Sequence, residues 1–268
     1  MFSQQLLSSI TAISLLLASC GGISQSKEEV RQDDETTNLT VSAASSLTDA
    51  MNEIEKLYQQ QKPEVDLTYN FASSGSLEQQ IQQGAPVDVF FSAASKQMNA
   101  LQDKQLLLEG TRQDLLQNEV VLITPTENSS IDSFADLTNA ENISIGEPEG
   151  VPAGKYAKEA LTSLKLYSKV EPKTVLAKNV RQVLTYVETG NVDAGLVYAT
   201  DVWQSDKVKV VVAAPEASHS PVVYPVAVIK DSQESQAAKD FVQFLASDKA
   251  GKVFERYGFK RISSKASQ

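Results

Sequence analysis

The chain has 268 residues with a formal net charge of −10, 41% hydrophobic residues, one cysteine and one histidine. That is length enough for one large domain or two smaller ones with real cores. The acidic balance argues against nucleic acid and anionic membrane surfaces as partners, and a single cysteine with a single histidine excludes a disulfide framework or a zinc cluster.

The N-terminus reads as a targeting segment. Residues Leu6 to Ala18 are mostly apolar or small, and the run is too short to span a bilayer as a helix. It ends Leu17-Ala18-Ser19-Cys20-Gly21, which resembles a bacterial lipobox, in which the cysteine becomes the lipidated first residue of the mature protein. No Lys or Arg precedes the apolar run, a departure from the usual signal peptide. The expectation is a lipoprotein signal peptide over residues 1–19, lipidation at Cys20 and a disordered tether over residues 20–38, a stretch of Gly, Ser, Gln, Glu, Asp and Thr with almost nothing to bury.

A short strand is expected from Leu39 to Ser42. A turn of small residues follows, then a helix with apolar positions Leu47, Ala50, Met51, Ile54, Leu57 and Tyr58 at helical spacing. Ser45 or Ser46 stands where an N-cap belongs. The unpaired N–H groups and positive dipole end of a first helical turn make such a strand-to-helix turn a candidate oxyanion site. Val65 to Phe71 alternates as a second strand and leads into Ala72-Ser73-Ser74-Gly75-Ser76-Leu77, again small hydroxyl residues before a helix that ends at Gly84. Residues 86–93 form a third apolar strand, followed by a helix through Met98 and Leu101. Strands alternating with helices imply a parallel sheet, whose ligands sit beyond the carboxyl ends of the strands, where these serines fall.

Val120 to Pro125 is an apolar strand stopped by proline, and a second βα set follows. A strand over Asn142 to Gly146 runs into the loop Glu147-Pro148-Glu149-Gly150-Val151 and a helix opened by Pro152, with the amide of Ala153 expected exposed and pointing outward. Asn179 caps another helix that Gly190 stops. Asp193 to Tyr198 and Lys209 to Ala213 are further strands, and Val222 to Ile229 returns to the first sheet. The end is helical around Phe241, Leu245, Val253 and Phe254.

Eight motifs carry a resemblance over Leu39 to Phe259. They are Ala43-Ala44-Ser45-Ser46-Leu47-Thr48-Asp49-Ala50-Met51, Phe71-Ala72-Ser73-Ser74-Gly75-Ser76-Leu77, Gly84-Ala85-Pro86-Val87-Asp88-Val89-Phe90, the stretch Pro148 to Leu161, Asn179-Val180-Arg181, Gly195-Leu196-Val197-Tyr198-Ala199-Thr200-Asp201, Tyr224-Pro225-Val226-Ala227-Val228 and Arg256-Tyr257-Gly258-Phe259. In this order they resemble the substrate-binding proteins of bacterial molybdate ABC importers.

The resemblance implies a type II periplasmic binding-protein fold: two α/β lobes joined by crossing strands, with a ligand cleft between them. Lobe I would comprise residues 39–118 plus 223–262, and lobe II residues 119–222. Carried over motif by motif, the oxyanion ligands are the hydroxyls of Ser46 and Ser74, the backbone N–H groups of Ala153 and Val180 and the phenol of Tyr198. Ser45 and Ser73 stay open as alternatives within each serine pair. The same residues would contact the oxygens of molybdate or tungstate, with no direct metal ligand and no cofactor. Archaeal-type relatives complete an octahedral metal site with carboxylates, of which this sequence gives no sign. Arg181 is left outside the site as an orienting or surface charge. The implied partners are the oxyanion and the membrane permease of an ABC importer, for a monomer on the periplasmic or extracellular face, membrane-attached only through the lipid.

The chemistry agrees with that site. A tetrahedral dianion offers only acceptor oxygens, so its pocket should present only donors. Two serine hydroxyls with their own amides, two further amides and a phenol give about seven donors, on the order of 10–20 kcal/mol gross against about 12 kcal/mol net for nanomolar binding. Two other readings stand beside it: a binding protein for another oxyanion such as sulfate or phosphate, and a serine hydrolase using His219 as base, for which no Gly-x-Ser-x-Gly elbow is present.

Overall fold

The structure is a computed structural model that describes residues 36–127, 130–203 and 205–262. Cys20, the signal peptide and the tether up to residue 35 lie outside the described residues. Among the described residues no helix is long and apolar enough to cross a membrane.

The first strand, β1 (Thr37–Ala44), begins two residues before the expected Leu39, which takes Thr37 and Asn38 out of the tether. The reason is pairing: Thr37 and Asn38 lie in parallel register with Val65 and Asp66 of the neighbouring strand. A single 3₁₀ turn, Ser45–Leu47, leads into α1 (Thr48–Gln59). Neither Ser45 nor Ser46 is the expected helix cap. The cap position of the turn falls on Ala44 and that of α1 on Leu47, neither with a side-chain bond, which leaves both serine hydroxyls uncommitted to capping.

Next come β2 (Val65–Ala72), α2 (Ser74–Gln82), β3 (Val89–Phe91), α3 (Ser95–Asp103) and β4 (Gln113–Gln117). The chain then crosses to a second sheet through β5 (Val120–Pro125), β6 (Ile143–Gly146), α4 (Pro152–Ser163), α5 (Tyr167–Val170), β7 (Thr174–Ala177), α6 (Val180–Glu188), β8 (Ala194–Tyr198) and β9 (Val208–Ala213). It returns in β10 (Val223–Val228), α7 (Ser235–Leu245), α8 (Asp248–Arg256) and β11 (Lys260–Arg261).

The first sheet has six strands in the order β11-β4-β10-β3-β1-β2, and the second has five in the order β7-β6-β8-β5-β9. In the first, β1 runs parallel to β2 and β3 while β10 is antiparallel to β3 and β4. In the second, β6 runs parallel to β7 and β8 while β5 is antiparallel to β8 and β9. Each lobe is therefore a βαβ set closed by an antiparallel strand. The two crossings touch each other where the Asn118 N–H donates to Val222 O at 3.2 Å.

Alternation along the strands divides the first core. In β3, Val89 and Phe91 join the cluster that holds Met51, Ile54 and Phe241, whereas Phe90 faces the other way with Leu77, Ile81 and Met98. Helices thus cover both faces, which is why the parallel strands read as continuous apolar runs.

Candidate oxyanion site

The parallel strands β1, β2 and β3 of one lobe and β6, β7 and β8 of the other point their carboxyl ends at the same place. Ser45 and Ser46 follow β1, Ser73 and Ser74 follow β2, Ala93 follows β3, Ala153 follows β6, Val180 follows β7, and Tyr198 ends β8. One small cavity is lined by these eight residues with Ala44, Ala72, Val151 and Pro152. All five residues assigned to the oxyanion from the sequence meet there, and all five are buried. Among the described residues no carboxylate, lysine, arginine or histidine lines the cavity.

Local structure fixes each donor. Ser74 is the first residue of α2, Pro152 and Ala153 open α4, and Val180 opens α6. The N–H groups of Ser74, Ala153 and Val180 in these first turns have no acceptor within their own helices and sit at the positive end of the dipole. Asn179 caps α6 by accepting from the Gln182 N–H at 3.0 Å. Within the second serine pair, Ser73 is committed to the cap: its Oγ accepts from the Ser76 N–H and donates to Ser76 Oγ. Ser74 Oγ instead accepts the Ala93 N–H at 2.9 Å and keeps its own proton.

One close approach and one hydrogen-bonded loop place the Ala153 amide. A Cβ on Gly154 would lie 1.9 Å from Gly146 O, so the first turn of α4 packs directly on the end of β6. The loop between them is held by Glu147, whose carboxylate accepts the N–H groups of Glu149 and Gly150 at 3.0 and 2.7 Å. The Ala153 amide is consequently enclosed, with the residue only 1% exposed, and does not point outward to solvent as the sequence suggested.

Tyr198 is 1% exposed, and its hydroxyl makes no hydrogen bond of normal geometry among the described residues. Its ring stands edge-on to Tyr224 with centroids 5.8 Å apart. Burial pushes both phenols well above their ordinary range, so both stay protonated and able to donate. A buried O–H that lines a cavity and has no hydrogen bond of normal geometry among the described residues costs stability unless a ligand takes it.

Charges sit one layer behind. Arg181, next to the Val180 amide, pairs with Asp49 of α1 on the other lobe, and its Nε lies 3.2 Å from Asp201 Oδ1. Burial works against the guanidinium charge, but Asp201 and Asp49 more than offset it and hold its pKa up. Asp201 accepts the Tyr198 N–H at 3.2 Å and so ties the phenol-bearing residue to the same ion cluster. Burial raises the Asp201 carboxyl from 3.8 to about 6, against the pull of Arg181 and of the Tyr198 N–H.

His219 is not part of the cavity. It lies on the surface between a 3₁₀ turn, Glu216–Ser218, and β10, its Nδ1 2.8 Å from Ser220 O and its ring 5.9 Å from that of Tyr156. Among the described residues no histidine, lysine or carboxylate lines the cavity beside either serine pair, so the hydrolase reading lacks a base there. Sequence reasoning gave no role to Tyr224 or Asn118, and of the Asp49–Arg181–Asp201 cluster it named Arg181 as an orienting or surface charge without its partners. Tyr224 stood in a recognised motif without a role, and Asn118 carried no local signal.

A family model for bacterial extracellular solute-binding proteins matches residues 39–260. The chain belongs to that family. Among relatives of this solute-binding protein, YvgL of Bacillus subtilis, provisionally named an ABC transporter substrate-binding lipoprotein, is 46% identical over 246 residues, 91% of this chain and 93% of YvgL. The molybdate-binding protein ModA of Haemophilus influenzae is 40% identical over 230 residues, 84% of this chain and 90% of ModA. The periplasmic molybdate-binding protein of Azotobacter vinelandii superimposes with a TM-score of 0.76 at 24% identity, over 84% of this chain and all of the other; at that identity the likeness is one of fold, and it is the two-lobed binding-protein fold. The family is one of solute binders for transport.

Proposed function

We propose that this protein captures molybdate, and tungstate equally, outside the cytoplasm and delivers it to the membrane permease of an ABC importer. The observation that carries the reading is the convergence of Ser46, Ser74, Ala153, Val180 and Tyr198 on one buried cavity whose walls offer uncharged donors, in a chain 40% identical to a molybdate-binding protein. Neutral amides at helix starts and protonated hydroxyls suit an oxyanion that has only acceptor oxygens. The protein is a carrier and not an enzyme, needs no cofactor, works as a monomer and is held at the membrane by lipid on Cys20.

Calorimetry of the mature chain with sodium molybdate tests the reading. Binding at micromolar or lower Kd with one anion per chain is expected. Absence of binding to both molybdate and tungstate at micromolar concentration would overturn it, as would tight binding retained after Ser46→Ala and Ser74→Ala are combined.

A further inference from the structure

We propose that Tyr224 and Asn118, which lie behind the cavity wall, are positioning residues that force the Ser46 hydroxyl to act as a hydrogen-bond donor toward the bound anion. The inference rests on the oxyanion reading and adds to it the device that sets the polarity of one ligand group.

The direction of each bond follows from its neighbour. Asn118 Oδ1 accepts the Glu119 N–H at 2.9 Å, which fixes the orientation of the side-chain amide. Its Nδ2 then faces the other way and donates to Thr200 Oγ1 at 2.8 Å and to Tyr224 Oη at 3.2 Å. The Tyr224 ring is fully buried, and its hydroxyl stands 2.9 Å from Ser46 Oγ. A phenol has one proton, and it cannot point at Nδ2, which has only donors to offer. Among the described residues Ser46 Oγ is the one acceptor that stands in hydrogen-bond geometry to the phenol, so the Tyr224 proton goes there. With that lone pair taken, the Ser46 proton must turn elsewhere, and Ser46 lines the cavity.

The second hydroxyl is arranged by the same logic with a backbone donor, since Ser74 Oγ accepts the Ala93 N–H. Both serines therefore keep a proton to offer the cavity. The chain of bonds starts at the hinge, because Asn118 lies in one crossing segment and its own N–H is bonded to the other at Val222.

A double-mutant cycle separates this role from plain packing. Tyr224→Phe is expected to weaken molybdate binding about threefold to tenfold in the otherwise natural chain, but less than about twofold when Ser46 is already alanine. Asn118→Leu, which removes the donor behind Tyr224, should show the same dependence on Ser46 and serves if Tyr224→Phe does not fold. Equal losses in the two backgrounds, or no loss in the natural one, would overturn the proposal. Failure of the natural chain to bind molybdate would instead overturn the oxyanion reading itself, so the two outcomes are distinct.

Discussion

Gly75, in the first turn of α2 on one lobe, donates its backbone N–H to Gly150 O on the other lobe at 3.0 Å. The two lobes therefore touch backbone to backbone at the rim of the cavity, next to Ser74. A Cβ on Gly75 would lie 2.4 Å from that carbonyl, and the obstacle is main chain that cannot swing aside.

Gly75→Ala is accordingly expected to oppose closure without harming either lobe. Its unliganded melting temperature should stay within a few degrees of the natural chain, since alanine suits a helix better than glycine. Molybdate affinity should fall by about tenfold or more, because about 1.4 kcal/mol of closing strain already has that effect. Calorimetry gives the affinity, and small-angle scattering should show less compaction on adding the anion. Undiminished affinity would mean that the bound state does not need this contact.

A weaker contact across the same cleft is ionic. Asp49 and Arg181 are about a third exposed, and Arg181 keeps Asp201 when Asp49 is lost. Exposed pairs contribute about 0–1 kcal/mol and are screened by salt. Asp49→Asn should cost at most about fivefold in affinity, appear mainly as faster release, and shrink as salt is raised. Stopped-flow release rates at low and high salt measure it. A hundredfold loss would show that the pair does more than latch the lobes.

The fold was legible wherever a strand is apolar and a helix amphipathic, as in β1 with α1 and β6 with α4. β4 was not legible: Gln-Asp-Leu-Leu-Gln is short and polar, and it is a strand only because β10 and β11 bond to its two edges. The serine turns after β1 and β2 were legible as strand-to-helix signatures, while the set of five assigned residues came from the motif-by-motif resemblance. What lies behind them was not legible. Ser46 meets Tyr224 across 178 residues and Arg181 meets Asp49 across 132, pairings that no local period or cap can announce.

Asp201 makes a prediction about pH. Its folded-state carboxyl is raised from 3.8 to about 6, chiefly by burial, so between those values the folded chain holds more protons than the unfolded one. Stability contributed by this group then falls as pH rises through that window, with a slope of at most about 1.4 kcal/mol per pH unit. Asp201→Asn removes the slope but not the hydrogen-bond acceptor for the Tyr198 N–H. Urea unfolding of both chains at intervals from pH 4 to pH 7 should show the variant gaining on the natural chain up to about pH 6 and holding a constant difference above it. A difference that is flat throughout would place the carboxyl in its ordinary range.

Tyr198 separates stability from affinity most sharply. Its hydroxyl is buried and makes no hydrogen bond of normal geometry among the described residues. Removing it in Tyr198→Phe should leave the unliganded protein as stable as before, or more stable by about 1 kcal/mol, since an unsatisfied buried polar group is eliminated. The anion would lose one donor of about 1.5–3 kcal/mol, an affinity loss of about tenfold to a hundredfold. Denaturant titration gives the first quantity and calorimetry the second, and the two should move in opposite directions. If the variant were instead less stable and bound molybdate as well as before, the phenol would belong to the core, and the cavity would be closed by packing alone.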